Sequence, residues 1–233
     1  MLIMFDVDGT LVHSGRRDSA CFAETYERLY QRPFPTLDWQ HFPHVTDHTI
    51  FGTCIRQDFQ RSYTAEELRR FQDHYMRLLR DRRRCAPHEF QEVPGARNLI
   101  HQLMAREDVV VSIATGGWRD PARIKLDHVG LPSADLPIAG GDYRETRMDI
   151  LQHAMELAGT GSRLFSRTVY LGDAIWDVDT TRAMGIDFVG VRHQGDADVL
   201  ARHGTGVVIQ DFRSESEFWS AIERARPPFV KKP

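Results

Sequence analysis

The chain is poor in cysteine, carries little net charge and has no long apolar run. Its three cysteines, Cys21, Cys54 and Cys85, stand far apart and are odd in number. That argues against a disulfide framework and a thiolate zinc site, and it predicts reduced, buried thiols in a cytoplasmic protein. No stretch of 18 apolar residues occurs, so no membrane-spanning helix is expected. The short apolar run at the N-terminus follows no basic region and does not read as a signal peptide. A formal charge of -3 gives no global field for nucleic acid or an anionic membrane. The 11 histidines are scattered, with no His-Glu-x-x-His or comparable cluster, which argues against a histidine zinc site. Repeats and low-complexity tracts are absent.

What is present is an ordinary globular composition, 41% apolar and 27% charged over 233 residues, with ample length for one or two domains. Residues 2–5 read as a buried strand. Residues 16–31, 46–60 and 64–82 read as helices, the first on its stripe of Ala20, Ala23, Tyr26, Leu29 and Tyr30, the third opened by the capping-box pattern Thr64-Ala-Glu-Glu. Prolines 33, 35 and 43 predict loop or short turns between the first two. The four arginines of residues 80–84 read as a solvated helix end. From residue 88 the pattern changes. Helices are expected from Pro94-Gly95-Ala96 onward and at 119–129, 149–157, 178–184 and 215–225. Strands are expected at 109–114, 136–139, 168–171, 188–191 and 207–209. Strands that alternate with helices and lack inside–outside alternation predict an α/β fold with a mostly parallel, doubly wound, Rossmann-like sheet. The helical block interrupts that rhythm after the first strand. It reads as a four-helix-like cap at 16–87 inserted into a core formed by 1–15 and 88–233.

The chemistry is expected where core strands end in polar residues. The first strand leads into Asp6-Val7-Asp8-Gly9-Thr10, a later one into Thr115-Gly116-Gly117, and another into Gly172-Asp173 with Asp177 beyond. In an open parallel sheet the strand C-termini share one edge and line one crevice. Like charges that converge there require a cation or a shared proton. A hard divalent cation fits, with carboxylate oxygens from Asp6 and Asp173, a backbone carbonyl from Asp8, and Asp177 as a direct or water-mediated ligand. The turn at Thr115, Gly116 and Gly117 can offer hydroxyl and N–H groups to a dianionic oxygen cluster. A cationic side chain is expected to complete the site, and Arg147 and Arg144 are the candidates.

This arrangement resembles the haloacid dehalogenase superfamily, in its phosphoglycolate-phosphatase-like and β-phosphoglucomutase-like phosphatase branch with a helical cap. The resemblance rests on Asp6-Val7-Asp8-Gly9-Thr10, on Thr115, and on Gly172-Asp173-Ala174-Ile175-Trp176-Asp177-Val178 with Asp179, Thr180, Arg182, Ala183 and Gly185. It covers nearly the whole chain. The departure lies in the loop from Gly140 to Leu151, where relatives usually carry a lysine and this chain has none; Arg147 is the first choice for its role and Arg144 the second.

The resemblance implies a Mg²⁺-dependent hydrolase of a small phosphorylated metabolite. Asp6 would attack phosphorus and form an aspartyl-phosphate. Asp8 would serve as acid and then base, Thr10 would orient Asp8, and Thr115 would bind the transferring phosphoryl oxygens. An aspartate at position 8 disfavours the dehalogenases, which carry an aromatic residue there, and the absence of lysine from residues 16–87 disfavours a Schiff-base chemistry. The cap is expected to choose the substrate, through candidates His13, Ser14, Arg16, His44, Thr46, Asp47 and His48. Trp176 either packs under the acidic loop or edges the entrance, and Asp142 either orients a cation or caps its turn. A non-catalytic binding protein and a sugar phosphomutase are the alternatives, and a monomer or homodimer is expected.

Overall fold

A computed structural model describes residues 1–14, 17–159, 165–196 and 198–230. The first strand, β1 (Leu2–Phe5), is followed by the short β2 (Val12–His13) and then by three helices, α1 (Arg17–Tyr30), α2 (Asp47–Phe59) and α3 (Ala65–Cys85). The chain returns through β3 (Gln91–Glu92) and α4 (Ala96–Met104) to β4 (Val110–Ala114). Next come α5 (Arg119–His128), β5 (Ile138–Ala139), α6 (Arg147–Ala158) and β6 (Thr168–Gly172). The last elements are α7 (Ile175–Met184), β7 (Asp187–Val191), α8 (Asp198–Arg202), β8 (Val208–Ile209) and α9 (Glu215–Arg224).

Six strands form one sheet in the order β5-β4-β1-β6-β7-β8, and every pairing in it is parallel. β1 is central, with Phe5 opposite Ile113 on one side and Leu171 on the other. Its side chains alternate between two cores. Ile3 and Phe5 pack with Leu99 and Ile100 of α4, Leu126 of α5 and Phe218 of α9. Leu2 and Met4 pack with Ile150 and Leu151 of α6, Val178 of α7 and Leu200 of α8. Helices thus cover both faces, which is why the strands read as continuous apolar runs. The expected doubly wound α/β architecture with an inserted helical cap is the observed one.

The cap departs from its expected form. Among the described residues it has three α-helices, with only a 3₁₀ turn at Trp39–His41 where a fourth would stand, because the prolines at 33, 35 and 43 leave no uninterrupted span for one. Thr46 caps α2, and Thr64 with Glu67 forms the reciprocal capping box of α3. The antiparallel ribbon of β2 and β3 at the base of the cap escapes sequence reading, since two residues per strand carry no period. Helices α6 and α7 start earlier than expected because polar contacts cap them: Thr146 and Asp149 cap α6, and Asp177 accepts the Ala174 amide at the start of α7. Cys21 and Cys54 are buried as expected, but Cys85 is exposed at the end of α3. Among the described residues no helix is long and apolar enough to cross a membrane.

A third apolar cluster fills the cap, and it includes Phe90, Trp118 and Ile124 of the core. Trp118, in the loop after β4, stacks on Phe22 (ring centroids 5.6 Å apart) and meets Phe71 and Tyr75 edge-on. It is 1% exposed. Trp118→Ala is expected to lower stability by about 3–5 kcal/mol, the usual cost of deleting a buried tryptophan, read by urea denaturation. A loss below about 1 kcal/mol would mean that the shared cluster does not hold cap to core.

Candidate active site

The sheet register decides which groups meet. Asp6 follows β1, its amide donating to the Leu171 carbonyl of β6 at 2.9 Å. Thr115 follows β4, its amide donating to Ala139 of β5 at 3.0 Å. Asp173 follows β6. Adjacent parallel strands therefore deliver these residues to one edge. Gly9 lets the first loop turn back at φ +80°, and a Cβ there would fall on the Asp173 carboxylate.

Asp6, Asp173 and Asp177 each offer an oxygen, all within 4.8 Å of one another. Burial raises all three carboxyls above the ordinary range. Mutual repulsion adds to it for Asp173 and for Asp177, which is pushed up to about 6, while Arg147 pulls Asp6 and Asp177 back. Asp6 Oδ1 is buried without a hydrogen-bond partner. Crowded, desolvated carboxylates with an unpartnered oxygen fit a hard divalent cation such as Mg²⁺. The oxygens of Asp177 are already engaged: Oδ1 accepts from Arg147 at 2.5 Å and Oδ2 from the Ala174 amide at 3.1 Å. The Asp8 carboxylate lies outside this group.

Two buried cations face the acids from opposite sides of the sheet. Arg147, at the start of α6, is 7% exposed and also donates to Tyr170 Oη at 2.9 Å, with Asp6 Oδ1 3.6 Å away. Gly116 makes room for it, since a Cβ there would lie 2.5 Å from the guanidinium. Lys125, on α5, is 2% exposed; its Nζ donates to Asp8 Oδ2 and, at 3.3 Å, to Asp18 Oδ2 of the cap helix α1. Ser14 Oγ completes this chain by donating to Asp18 at 2.7 Å. Burial opposes the Lys125 charge, yet Asp8 and Asp18 outweigh it and hold the ammonium above its ordinary value. Burial and the Asp18 charge push Asp8 up to about 8 against the pull of Lys125.

The other expected site residues divide. Asp47 Oδ2 accepts the Trp118 amide at 2.9 Å, and its own amide donates to the Gly116 carbonyl at 2.9 Å, so the cap helix α2 is clamped onto the strand-end loop. Burial pushes the Asp47 carboxyl up to about 7. The Gly117 amide donates to Thr115 Oγ1 at 3.3 Å. Thr10 Oγ1 is buried without a partner, so the expected hydrogen bond to Asp8 is not formed; Asp8 turns to Lys125 instead. Arg144 donates to the Asp142 carbonyl of its own loop at 3.1 Å and does not line the cavity. Asp142 accepts the Arg119 amide at 2.9 Å and so caps α5. His13, Ser14 and Trp176 line the cavity. His44 does not, and His48 hydrogen-bonds Tyr63. Thr46 serves as the cap of α2. Arg16 lies outside the described residues.

A family model described as haloacid dehalogenase-like hydrolase matches residues 3–191. The chain belongs to this family. It is 25% identical to the phosphoglycolate phosphatase of Rhodospirillum rubrum, covering 91% of this chain and 88% of that one. It is 24% identical to glycerol-1-phosphate phosphohydrolase 1 of Saccharomyces cerevisiae, covering 91% and 82%. The crystal structure of a hydrolase from Pseudomonas syringae superimposes with a TM-score of 0.68 at 23% identity, covering 95% of this chain and 97% of that one.

Within this haloacid dehalogenase-like fold, Lys125 is the residue that sequence reading passes over. The family's motif places its cation in the loop before α6, and Lys125 comes from α5. A signal was nevertheless present. Lys125 is the sole lysine between residues 1 and 230, and it sits among apolar residues on the helix that follows the Thr115 turn. Lys125→Met would strand the Asp18 carboxylate without its cation and leave Asp8 without its donor. It is expected to cost about 3 kcal/mol, read by urea denaturation at pH 7, because removing one member of a buried pair leaves the others uncompensated. An unchanged midpoint would sink this account of the triad.

Proposed function

We propose that the chain is a Mg²⁺-dependent phosphomonoester hydrolase that acts on a small phosphorylated metabolite through an aspartyl-phosphate on Asp6, in the phosphoglycolate-phosphatase-like branch of its family. The observation that carries this reading is Asp6: its Oδ1 is buried, unpartnered and beside Arg147, and the residue lines a cavity of about 1050 Å³ that opens between cap and strand ends. In this reading residues 16–87 are the cap domain, and 1–15 with 88–233 are the core.

A carboxylate oxygen of Asp6 attacks phosphorus, and the bond from phosphorus to the ester oxygen breaks. Asp8, pushed up to about 8, holds a proton at neutral pH and gives it to the leaving alcohol. It then takes a proton from the water that attacks phosphorus and releases Asp6. Arg147 offsets negative charge at Asp6 and on the phosphoryl oxygens, and the Thr115, Gly116 and Gly117 loop binds those oxygens. Asp6 and Asp173, with the Asp8 backbone carbonyl, would hold Mg²⁺, and Asp177 would complete the cluster while orienting Arg147. When bound, the cation supplies charge neutralisation and alignment of nucleophile and phosphoryl group. The buried Arg147 stands where the family's usual lysine is missing, and this weighs against a non-catalytic binding role.

Phosphate release from a panel of phosphorylated metabolites is expected to require Mg²⁺, to stop with EDTA, and to be abolished by Asp6→Asn in a folded protein. Asp8→Asn should lower it by about 10²- to 10⁴-fold, the usual contribution of a positioned acid–base. Because the Asp8 carboxyl is raised, its proton is present below about pH 8 and lost above it, so kcat should fall as pH rises through that value. No release from any panel member by folded protein with Mg²⁺ would overturn the proposal.

A further inference from the structure

Resting on the phosphohydrolase reading, we infer that the group that leaves with the ester oxygen is uncharged: a polyol, sugar or nucleoside, and not an acid with a second anionic group. The observation is the distribution of charge around the cavity. Its cap wall is apolar and aromatic, made by Phe22, Trp39, Ile50 and Tyr75. The charged cap residues that line it are all acidic: Asp18, Asp38 and Asp47. Among the described residues, no arginine, lysine or histidine of the cap reaches it.

The lysine and arginines that line the cavity belong to the core, and each is already held. Lys125 is tied to Asp8 and Asp18, and Arg147 to Asp177 and Tyr170. Arg192 donates to the Asp173 carbonyl at 3.0 Å and to the Asp196 carbonyl at 3.1 Å, with the Asp173 carboxylate 3.7 Å away. His203 Nδ1 pairs with the Val199 carbonyl at 2.9 Å, and His13 stands edge-on to His193 with ring centroids 6.5 Å apart. Burial and the neighbouring His193 lower His13, which disfavours its charged form.

A carboxylate or second phosphate carried toward the cap would therefore meet a wall of aromatic rings and carboxyl groups, with no cap cation among the described residues to pair with it. An unpaired charge in such surroundings is a strong element of discrimination. A hydroxylated group meets better chemistry. Ser19 and Gln40 offer hydroxyl and amide groups, the buried Nδ1 of His193 has no partner, and the rings supply apolar faces.

The test uses two pairs of esters that differ in charge at nearly constant size: glycerol 3-phosphate against 3-phosphoglycerate, and 2-hydroxyethyl phosphate against phosphoglycolate. With Mg²⁺, kcat/KM is expected to be about tenfold or more higher for the neutral member of each pair. Gln40→Arg, which places a cation on the cap wall, should narrow both gaps by raising the acidic members. Equal or better turnover of the acidic members by the wild-type protein would overturn the inference and leave the phosphohydrolase reading standing. If neither these esters nor a generic aryl phosphate is hydrolysed, it is the phosphohydrolase reading that fails. The inference is then decided by titration calorimetry of the same four esters with the Mg²⁺-loaded Asp6→Asn protein: tighter binding of the neutral members supports it, and tighter binding of the acidic ones ends it.

Discussion

Carboxylates that follow adjacent parallel strands cannot avoid one another. Asp6 succeeds β1 and Asp173 succeeds β6, and the register that pairs Phe5 with Leu171 brings both acids to one edge, with Asp177 beside them. Burial raises all three carboxyls, and repulsion adds to it for Asp173 and Asp177. The remainder of the core is arranged around that constraint. Lys125 comes from α5 on one face of the sheet and Arg147 from α6 on the other, so the acidic edge is gripped from both sides. Neither cation is spare. Each one is bound to carboxylates that would otherwise stand uncompensated in a low-dielectric environment.

The same network carries the cap. Lys125 joins Asp8, in the strand-end loop, to Asp18, on the first cap helix. Asp47 joins the second cap helix to the loop after β4 by hydrogen bonds, and Trp118 of that loop packs its ring against the first and third. Thr49 adds a bond to the Glu145 carbonyl at 2.9 Å, just before Arg147. Cap position and site geometry are therefore one mechanical problem. A displacement of α1 or α2 must disturb Asp8 or the Thr115 loop, and this gives closure of the cap a direct route to the reacting groups.

Much of the architecture was legible because its signals are local. Apolar runs without alternation, such as 110–114, mark strands covered on both faces, and capping boxes mark helix starts such as Thr64. The acidic motifs announced the cluster because two aspartates two residues apart at a strand end have few structural uses. The weaker readings failed where a contact crosses the chain. Thr10 was expected to hold Asp8, but a lysine more than a hundred residues away does so. The Asp142 carboxylate spans elements too, capping α5, while its carbonyl accepts from Arg144. The ribbon of β2 and β3 is too short to carry a period at all.

The sequence by itself determined the α/β core, the helical insertion after the first strand, and the acids at the strand ends, because these follow from periodicity and from residue types at short spacing. Only the tertiary structure decided which cation serves which acid, and what lines the cavity facing them. Those depend on strand register and on where α5, α6 and the cap helices come to rest, and such long-range packing leaves no mark at any fixed spacing along the chain.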